Sequence, residues 1–212
     1  MDGSIDWGFT TVQDAAELAG LYEPSSDLVK SKSIDHVDVL CRDYLAVCRF
    51  VVLASADAQG HADVTPRGGP AGFVEVLHDR LLAVPDATGN RRIDTLRNVL
   101  QTGQLGLLAV LPGRGQTLRI NGAATVSTDP ALLDRLTAVG RPPRAALLLA
   151  VQEVFTHCPK AFVRRGLWDT ATWPARNEQP SPAAMLSAHV GDSLSVADAE
   201  QAMVDAVTIR LA

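Results

Sequence analysis

Lysine is nearly missing from this 212-residue chain: of its 19 basic residues only Lys30, Lys32 and Lys160 are lysines. The others are arginines, whose planar fork matches phosphate oxygens better than an ammonium does. Codon bias also produces such an excess, so position decides which arginines matter. Positive charge as a whole is short, the formal net charge being −5. That argues against a protein that coats nucleic acid, because such binding draws its affinity from neutralising many phosphates. Long apolar runs are missing too. The longest, such as residues 145–151, fall far below the roughly 20 residues needed to cross a bilayer, so no membrane span is expected. Residues 1–9 carry two Asp and no basic residue ahead of any apolar run. They lack the pattern of a secretory signal, and the expected location is the cytoplasm. Cysteine is scarce and odd in number, with three residues and no pair at metal-ligand spacing, so no metal site is expected. Cys41 and Cys48 lie seven apart, on one face of a helix, and read as small core residues. Cys158 follows His157, but no second cluster completes a site.

What is present is an ordinary globular composition, 47% hydrophobic and 20% charged, in a chain long enough for one domain with a substantial core. Helical spacing marks residues 11–20 and 34–47, with Asp35 as a cap for the second. From Phe50 the period shortens to that of strands. Residues 50–54 and 61–67 form a hairpin about the turn 57–60, and residues 72–77 and 80–84 continue the meander. Ile93, Leu96, Val99 and Leu100 define an amphipathic helix ending near Gly103. Strands return at 105–111 and 116–127. A helix over 131–139 is started by Asp129-Pro130, followed by an apolar strand over 145–155 and a short helix over 159–165. Residues 174–182 read as a linker and 196–211 as a closing helix. Strands in a meander with interposed helices point to an antiparallel barrel, mainly β with added helices. No G-x-G-x-x-G follows a strand, which sets a Rossmann sheet aside. The expected organisation is a helical segment 1–48, a barrel core 49–173 and a C-terminal linker and helix 174–212.

Three segments carry candidate chemistry. Gly89-Asn90-Arg91-Arg92-Ile93-Asp94 opens the amphipathic helix, placing two arginines beside the positive end of its dipole. An anion there would receive backbone N–H groups and guanidinium forks together, as phosphates do. The competing reading pairs Asp94 with one arginine and leaves the other solvated. In the strand 61–67, Asp63, Thr65 and Arg67 alternate with Ala62, Val64 and Pro66, giving one polar face. That face is either solvated or, with Gly68-Gly69 next to it, a binding edge. In residues 116–122, Thr117, Arg119 and Asn121 share a face opposite Leu118 and Ile120, with the same two readings.

The order Asp63-Val64-Thr65-Pro66-Arg67-Gly68, Gly72-Phe73-Val74, Pro85-Asp86, Gly89 to Leu96, Leu118-Arg119-Ile120-Asn121-Gly122 and Glu153-Val154-Phe155 followed by His157, Cys158 and Lys160 resembles the pyridoxamine 5′-phosphate oxidase-like FMN-binding proteins, in a bacterial branch. The resemblance runs from about residue 12 to residue 173. It implies an antiparallel split β-barrel working as a homodimer with FMN at the interface. It further implies that Asn90, Arg91 and Arg92 hold the FMN phosphate, and that Thr65, Pro66 and Arg67 line the isoalloxazine. Gln116, Thr117 and Arg119 match the strand that carries Gln-x-x-Arg in the true oxidases, so Gln116 would face the flavin edge from the second subunit. Lys160 would stand near the interface. The strand 145–151 is expected to need a partner for its burial.

The chain also departs from the family. Relatives of this branch commonly have Asp where it has Gly69, and the C-terminal Arg and His motif of the true oxidases is missing, which argues against vitamin B6 oxidation. An unidentified small-molecule substrate is expected, acted on by a flavin-dependent oxidoreductase. The alternatives are a protein that stores or senses flavin, or a split barrel holding haem, with His61 as the one candidate ligand, or the deazaflavin F420. Trp168 and Trp173 read either as a lid over the flavin or as anchors for the C-terminal segment.

Overall fold

The computed structural model describes residues 6–86, 92–136 and 142–208. The chain divides into two units, residues 1–33 and residues 34–212. In the first, α1 (Ala15–Gly20) starts later than its spacing suggests because Asp14 caps it, accepting from the amides of Ala16 and Glu17 at 2.9 and 2.8 Å. A second short helix, α2 (Asp27–Ser31), is capped by Ser26 and is not apparent in the hydrophobic spacing. Neither helix buries a residue.

The second unit opens with α3 (Val39–Val47). Its cap is Asp38, not Asp35: the Asp38 carboxylate accepts from the Cys41 amide at 2.7 Å, whereas Asp35 pairs with Arg80 and His36. Then come β1 (Phe50–Ala56) and β2 (Ala62–Gly68), joined by a turn in which Asp57 and His61 bond and Gly60 has φ +87°. β3 (Glu75–His78) begins three residues later than expected. Gly72, at φ +77°, instead makes a turn whose amide bonds the Cys48 carbonyl at the end of α3. After β4 (Leu81–Pro85) come α4 (Asp94–Thr102), closed by Gly103 in the left-handed conformation, and then β5 (Gln104–Ala109) and β6 (Thr117–Ser127). α5 (Pro130–Leu133) is capped by Asp129 as expected; residues 137–139 of the expected helix lie outside the described residues. β7 (Ala146–His157) and α6 (Lys160–Arg164) follow.

The strands form one seven-stranded antiparallel sheet in the order β2-β1-β5-β6-β7-β4-β3. It is not closed: β2 and β3 are its edges, so the barrel is split. β6 and β7 pair along their whole lengths, with a bulge at Asn121/Gly122 that leaves Gln152 as the extra residue of β7. A second backbone comes so near this bulge that a Cβ on Gly122 would lie 1.9 Å from the Ala150 carbonyl oxygen. One face of the sheet carries the core: Val51, Leu53, Leu107, Leu118, Ile120, Leu147 and Leu149 meet Leu45 and Cys48 of α3 and its end, and Val99 of α4. Cys48 is thus a core residue, as its spacing suggested, with Cys41 packed against the same cluster and Cys158 exposed.

The expectation that β7 needs a partner to cover it does not hold. Ala146, Leu147, Leu149 and Val151 are all buried within this chain, the last three in the main core cluster and Ala146 against Ala83 and Leu136. The C-terminal part holds one helix more than expected. Residues 174–182 end on a Ser181 cap, and α7 (Pro182–Val190) follows, packing against α8 (Val196–Thr208) through buried Ala183 and Ala199. Among the described residues no helix is long and apolar enough to cross a membrane.

Candidate ligand cavities

Strand β2 has its faces the opposite way round from a solvated edge. Val64 is 68% exposed and Pro66 is exposed, whereas Asp63, Thr65 and Arg67 are half-buried. The register explains this: Ser55, Leu53 and Val51 stand opposite Asp63, Thr65 and Arg67, so the polar residues share the core face of β1 and point beneath α4. The solvated reading of that alternation is therefore overturned. The polar groups are joined there. Thr95 of α4 donates its hydroxyl to the Asp63 carboxylate at 2.8 Å, Asn98 donates its amide to the Ser55 hydroxyl at 3.1 Å, and Arg67 donates to the Thr65 hydroxyl at 2.8 Å.

These side chains enclose a cavity of about 470 Å³ lined by residues 63–67 with Arg92, Asp94 and Thr95. The N-terminus of α4 stands at its margin. Ile93, at the cap position, offers no side-chain hydrogen bond, and among the described residues no side chain bonds the first-turn amides. Arg92 donates through Nε to Asp94 at 2.7 Å, so the pair expected by the competing reading does form, and Arg92 lines the cavity as well. Arg67 approaches Asp86 at 3.9 Å. Burial pushes the Asp86 carboxyl above its ordinary pKa, and the Arg67 charge only partly offsets this.

A second cavity, of about 460 Å³, lies on the other face of the sheet, where Val52, Ala54, Gly106, Leu108, Thr117, Arg119, Asn121 and His157 meet Ala161 and Phe162 of α6. Gly106 leaves room beside Asn121, whose Oδ1 would lie 3.3 Å from a Cβ there. Asn121 donates to Glu153 at 2.8 Å, and the Arg119 guanidinium sits 5.3 Å from the Phe155 ring centre. Phe162 is held in place by stacking on Trp168, whose indole N–H donates to the Arg114 carbonyl at 2.7 Å. Trp173 donates to the Leu167 carbonyl at 2.9 Å. Both tryptophans therefore anchor the segment after α6, and neither lines either of these two cavities.

Of the residues singled out in the sequence, Thr65, Pro66, Arg67 and Arg92 come together in the first cavity, and Thr117 and Arg119 in the second. Asn90 and Arg91 lie outside the described residues. Gln116 lines neither cavity: it precedes β6 with its side chain exposed, and its carbonyl accepts from the Tyr44 hydroxyl at 3.1 Å, so Thr117 takes the inward position. Lys160, at the start of α6, is exposed and lines neither. Asp63 and Thr95 were not among the chosen residues. The alternation of β2 marks Asp63, but nothing local marks Thr95.

The fold is that of a split-barrel protein with a cavity beneath a helix N-terminus. The sequence profile of the pyridoxamine 5′-phosphate oxidase family matches residues 39–158, and the chain belongs to that family. No curated protein matches it. Among solved structures it is similar to a putative pyridoxamine 5′-phosphate oxidase from Lactobacillus delbrueckii, at 21% identity and TM-score 0.46, over 57% of this chain and 95% of that one. It is similar also to HupZ from Group A Streptococcus, at 19% and 0.43 over 54% and 89%, and to HutZ, the haem storage protein of Vibrio cholerae, at 12% and 0.39 over 57% and 93%.

Proposed function

We propose that this chain binds FMN in the first cavity and acts as a homodimeric, FMN-dependent oxidoreductase on a small molecule. The observation that carries the reading is the inverted face of β2: a strand turns Asp63, Thr65 and Arg67 inward onto a cavity that ends at a helix N-terminus whose cap residue, Ile93, offers no side-chain bond. These side chains are bonded to one another and also line the cavity, where a polar ligand would meet them. The cavity volume falls within the roughly 300–1,000 Å³ range of small-molecule sites. In this reading the phosphate lies at the α4 amides with Arg92, joined by Asn90 and Arg91, and the ring lies along Thr65, Pro66 and Arg67. Asp94 accepts from Arg92, and Asp63 from Thr95, each through Oδ2, and in this reading the other carboxylate oxygen accepts from ligand hydroxyl or N–H groups. Bound FMN supplies the two-electron chemistry. The Arg67 guanidinium, half-buried beside a desolvated Asp86, contributes positive charge along the ring.

The homodimer is supported by the outer face of β1, β2 and β5. Val64 and Pro66 are exposed on that face, next to half-buried Val52 and Leu108 at the mouth of the second cavity, and a second copy laid there would bury this apolar strip. A haem site through His61 gains no such support: its ring pairs with Asp57 at 2.8 Å, is 80% exposed and lines neither cavity. The visible spectrum of the purified protein tests the cofactor. Flavin bands near roughly 370 and 450 nm are expected, and a Soret band instead would refute the reading. Light scattering should give a dimer, and a monomer with FMN bound would remove the homodimer from it.

A further inference from the structure

The last two helices pack on each other and bury little. Among their described residues only Ala183 of α7 and Ala199 of α8 are fully buried. Two methyl groups stabilise a helix pair only slightly, and helices of 9 and 13 residues are marginal in isolation. Along α8, Val196, Glu200, Val204 and Val207 recur at i, i+4, i+8 and i+11, so they form one exposed stripe that is apolar apart from a single carboxylate. Glu200 makes no hydrogen bond or ion pair with a described residue. Residues 182–208 hold four acids and neither lysine nor arginine. The surface of α6 has the complementary pattern. Ala161 and Phe162 turn to the second cavity, which leaves Lys160, Val163 and Arg164, at i, i+3 and i+4, on the outward face, with Leu167 one turn further on. Val163 is 70% exposed and Leu167 48%, so the chain's own α7 and α8 leave this surface open. Lys160 and Arg164 pair with no carboxylate of the described residues, and Asp169, the one acid between them and Arg176, caps the next turn by accepting from the Ala171 amide at 3.1 Å.

We propose that α7 and α8 of one copy clasp the α6 surface of a second copy, the valine stripe of α8 lying on Val163 and Leu167 and Glu200 reaching Lys160 and Arg164. A two-fold axis makes this contact twice, each copy giving its helix pair and receiving the other's. Charge complementarity selects the occupant. The chain as a whole is acidic, yet the α6 surface is locally basic, and the acid-bearing apolar stripe that fits it belongs to the same sequence. The clasp also gives the helix pair the apolar burial that it lacks alone. It rests on the homodimer proposed above, specifying which elements would hold the copies together, and is independent of what the first cavity binds.

The scarcity of lysine makes the contact easy to trap, because a carbodiimide joins a lysine directly to a touching carboxylate and Lys160 is one of only three lysines. In full-length protein assembled from a mixture of unlabelled and heavy-nitrogen-labelled chains, mass spectrometry should find Lys160–Glu200 cross-linked peptides that take one half from each copy. Lys160→Glu combined with Arg164→Glu should raise the dimer dissociation constant by about tenfold or more, and adding Glu200→Lys should restore most of the loss. All three side chains are exposed, so the circular dichroism of these variants should match the wild type. Cross-links found only within single copies, no Lys160–Glu200 link, or an unchanged dissociation constant in the double variant would each overturn the clasp. A dimer that forms without the link refutes the clasp alone and leaves the homodimer standing, whereas a monomer by light scattering refutes both.

Discussion

Replacing Gly122 by Ala puts a methyl group where a backbone already is. The added Cβ would stand 1.9 Å from the Ala150 carbonyl oxygen, 2.9 Å from its carbon and 3.2 Å from the Gln152 amide nitrogen. Carbon and oxygen approach to about 3.3 Å in the closest ordinary contacts between strands, so β6 and β7 would have to part by more than about 1 Å at the bulge. No flexible side chain can absorb this, because the obstacle is main chain. Overpacking of this kind costs roughly 1–3 kcal/mol, and each ladder hydrogen bond lost adds about 0.5–1.5 kcal/mol. A loss of about 3 kcal/mol or more is therefore expected, a large share of the roughly 5–15 kcal/mol that holds a domain together. Urea unfolding followed by circular dichroism measures it. Gly68→Ala, whose Cβ would meet only the Arg49 carbonyl oxygen at 3.4 Å, serves as the contrast and should change stability by less than about 1 kcal/mol. If Gly122→Ala also cost less than about 1 kcal/mol, the close approach of β6 and β7 at the bulge, and with it the placement of Thr117 and Arg119 over the second cavity, would be wrong.

Asp38→Ala should cost about 1 kcal/mol through loss of the α3 cap, read from the same urea curves. The Cys41 amide holds the Asp38 carboxyl below its ordinary pKa, so this contribution is present above the unfolded-state value and is lost as pH falls through the folded one. The wild type and Asp38→Ala should therefore converge in stability at low pH, and a constant difference down to acid would refute the cap. Burial, with the nearby Asp38, pushes the Cys41 thiol up to about 12, and Cys48 is raised by burial too, whereas Cys158 is exposed. Iodoacetamide at mildly alkaline pH should label the native protein at Cys158 alone by mass spectrometry; labelling of Cys41 at a similar rate would show α3 to be looser than described. Arg67→Ala should lower the reduction potential of bound FMN, since it removes positive charge beside the ring, and an unchanged potential at full occupancy would take Arg67 out of that role.

Local order was the legible part of this sequence. The β1–β2 hairpin, the helix ending at Gly103, the Asp129 cap and the long strands β6 and β7 follow from side-chain period and from turn and cap residues, all of which act over a few positions. Facing was not legible. Alternation in β2 gives two faces, and only its pairing with Val51, Leu53 and Ser55 shows that the polar one turns inward. The apolar run in β7 similarly marks burial but not what covers it; the neighbours β6 and β4 are distant in sequence and come together through tertiary pairing. Asp35 and Asp38 are both plausible caps, separated only by where the chain leaves its contact with Arg80. The motif around Gln116 marks the right strand but not which residue enters the cavity, because a shift of one residue reverses every side chain. Thr95 became part of the site only through its bond to Asp63, 32 residues away.

The central claim is that the α4 N-terminus and its arginines receive a phosphate, and FMN differs from riboflavin by that phosphate alone. Titrating the flavin-free protein with each, by quenching of flavin fluorescence, should show FMN bound at least about tenfold more tightly than riboflavin, with the preference largely lost in the double variant Arg91→Ala, Arg92→Ala. Equal affinity for the two flavins in the wild type, or a preference that survives the loss of both arginines, would contradict the account.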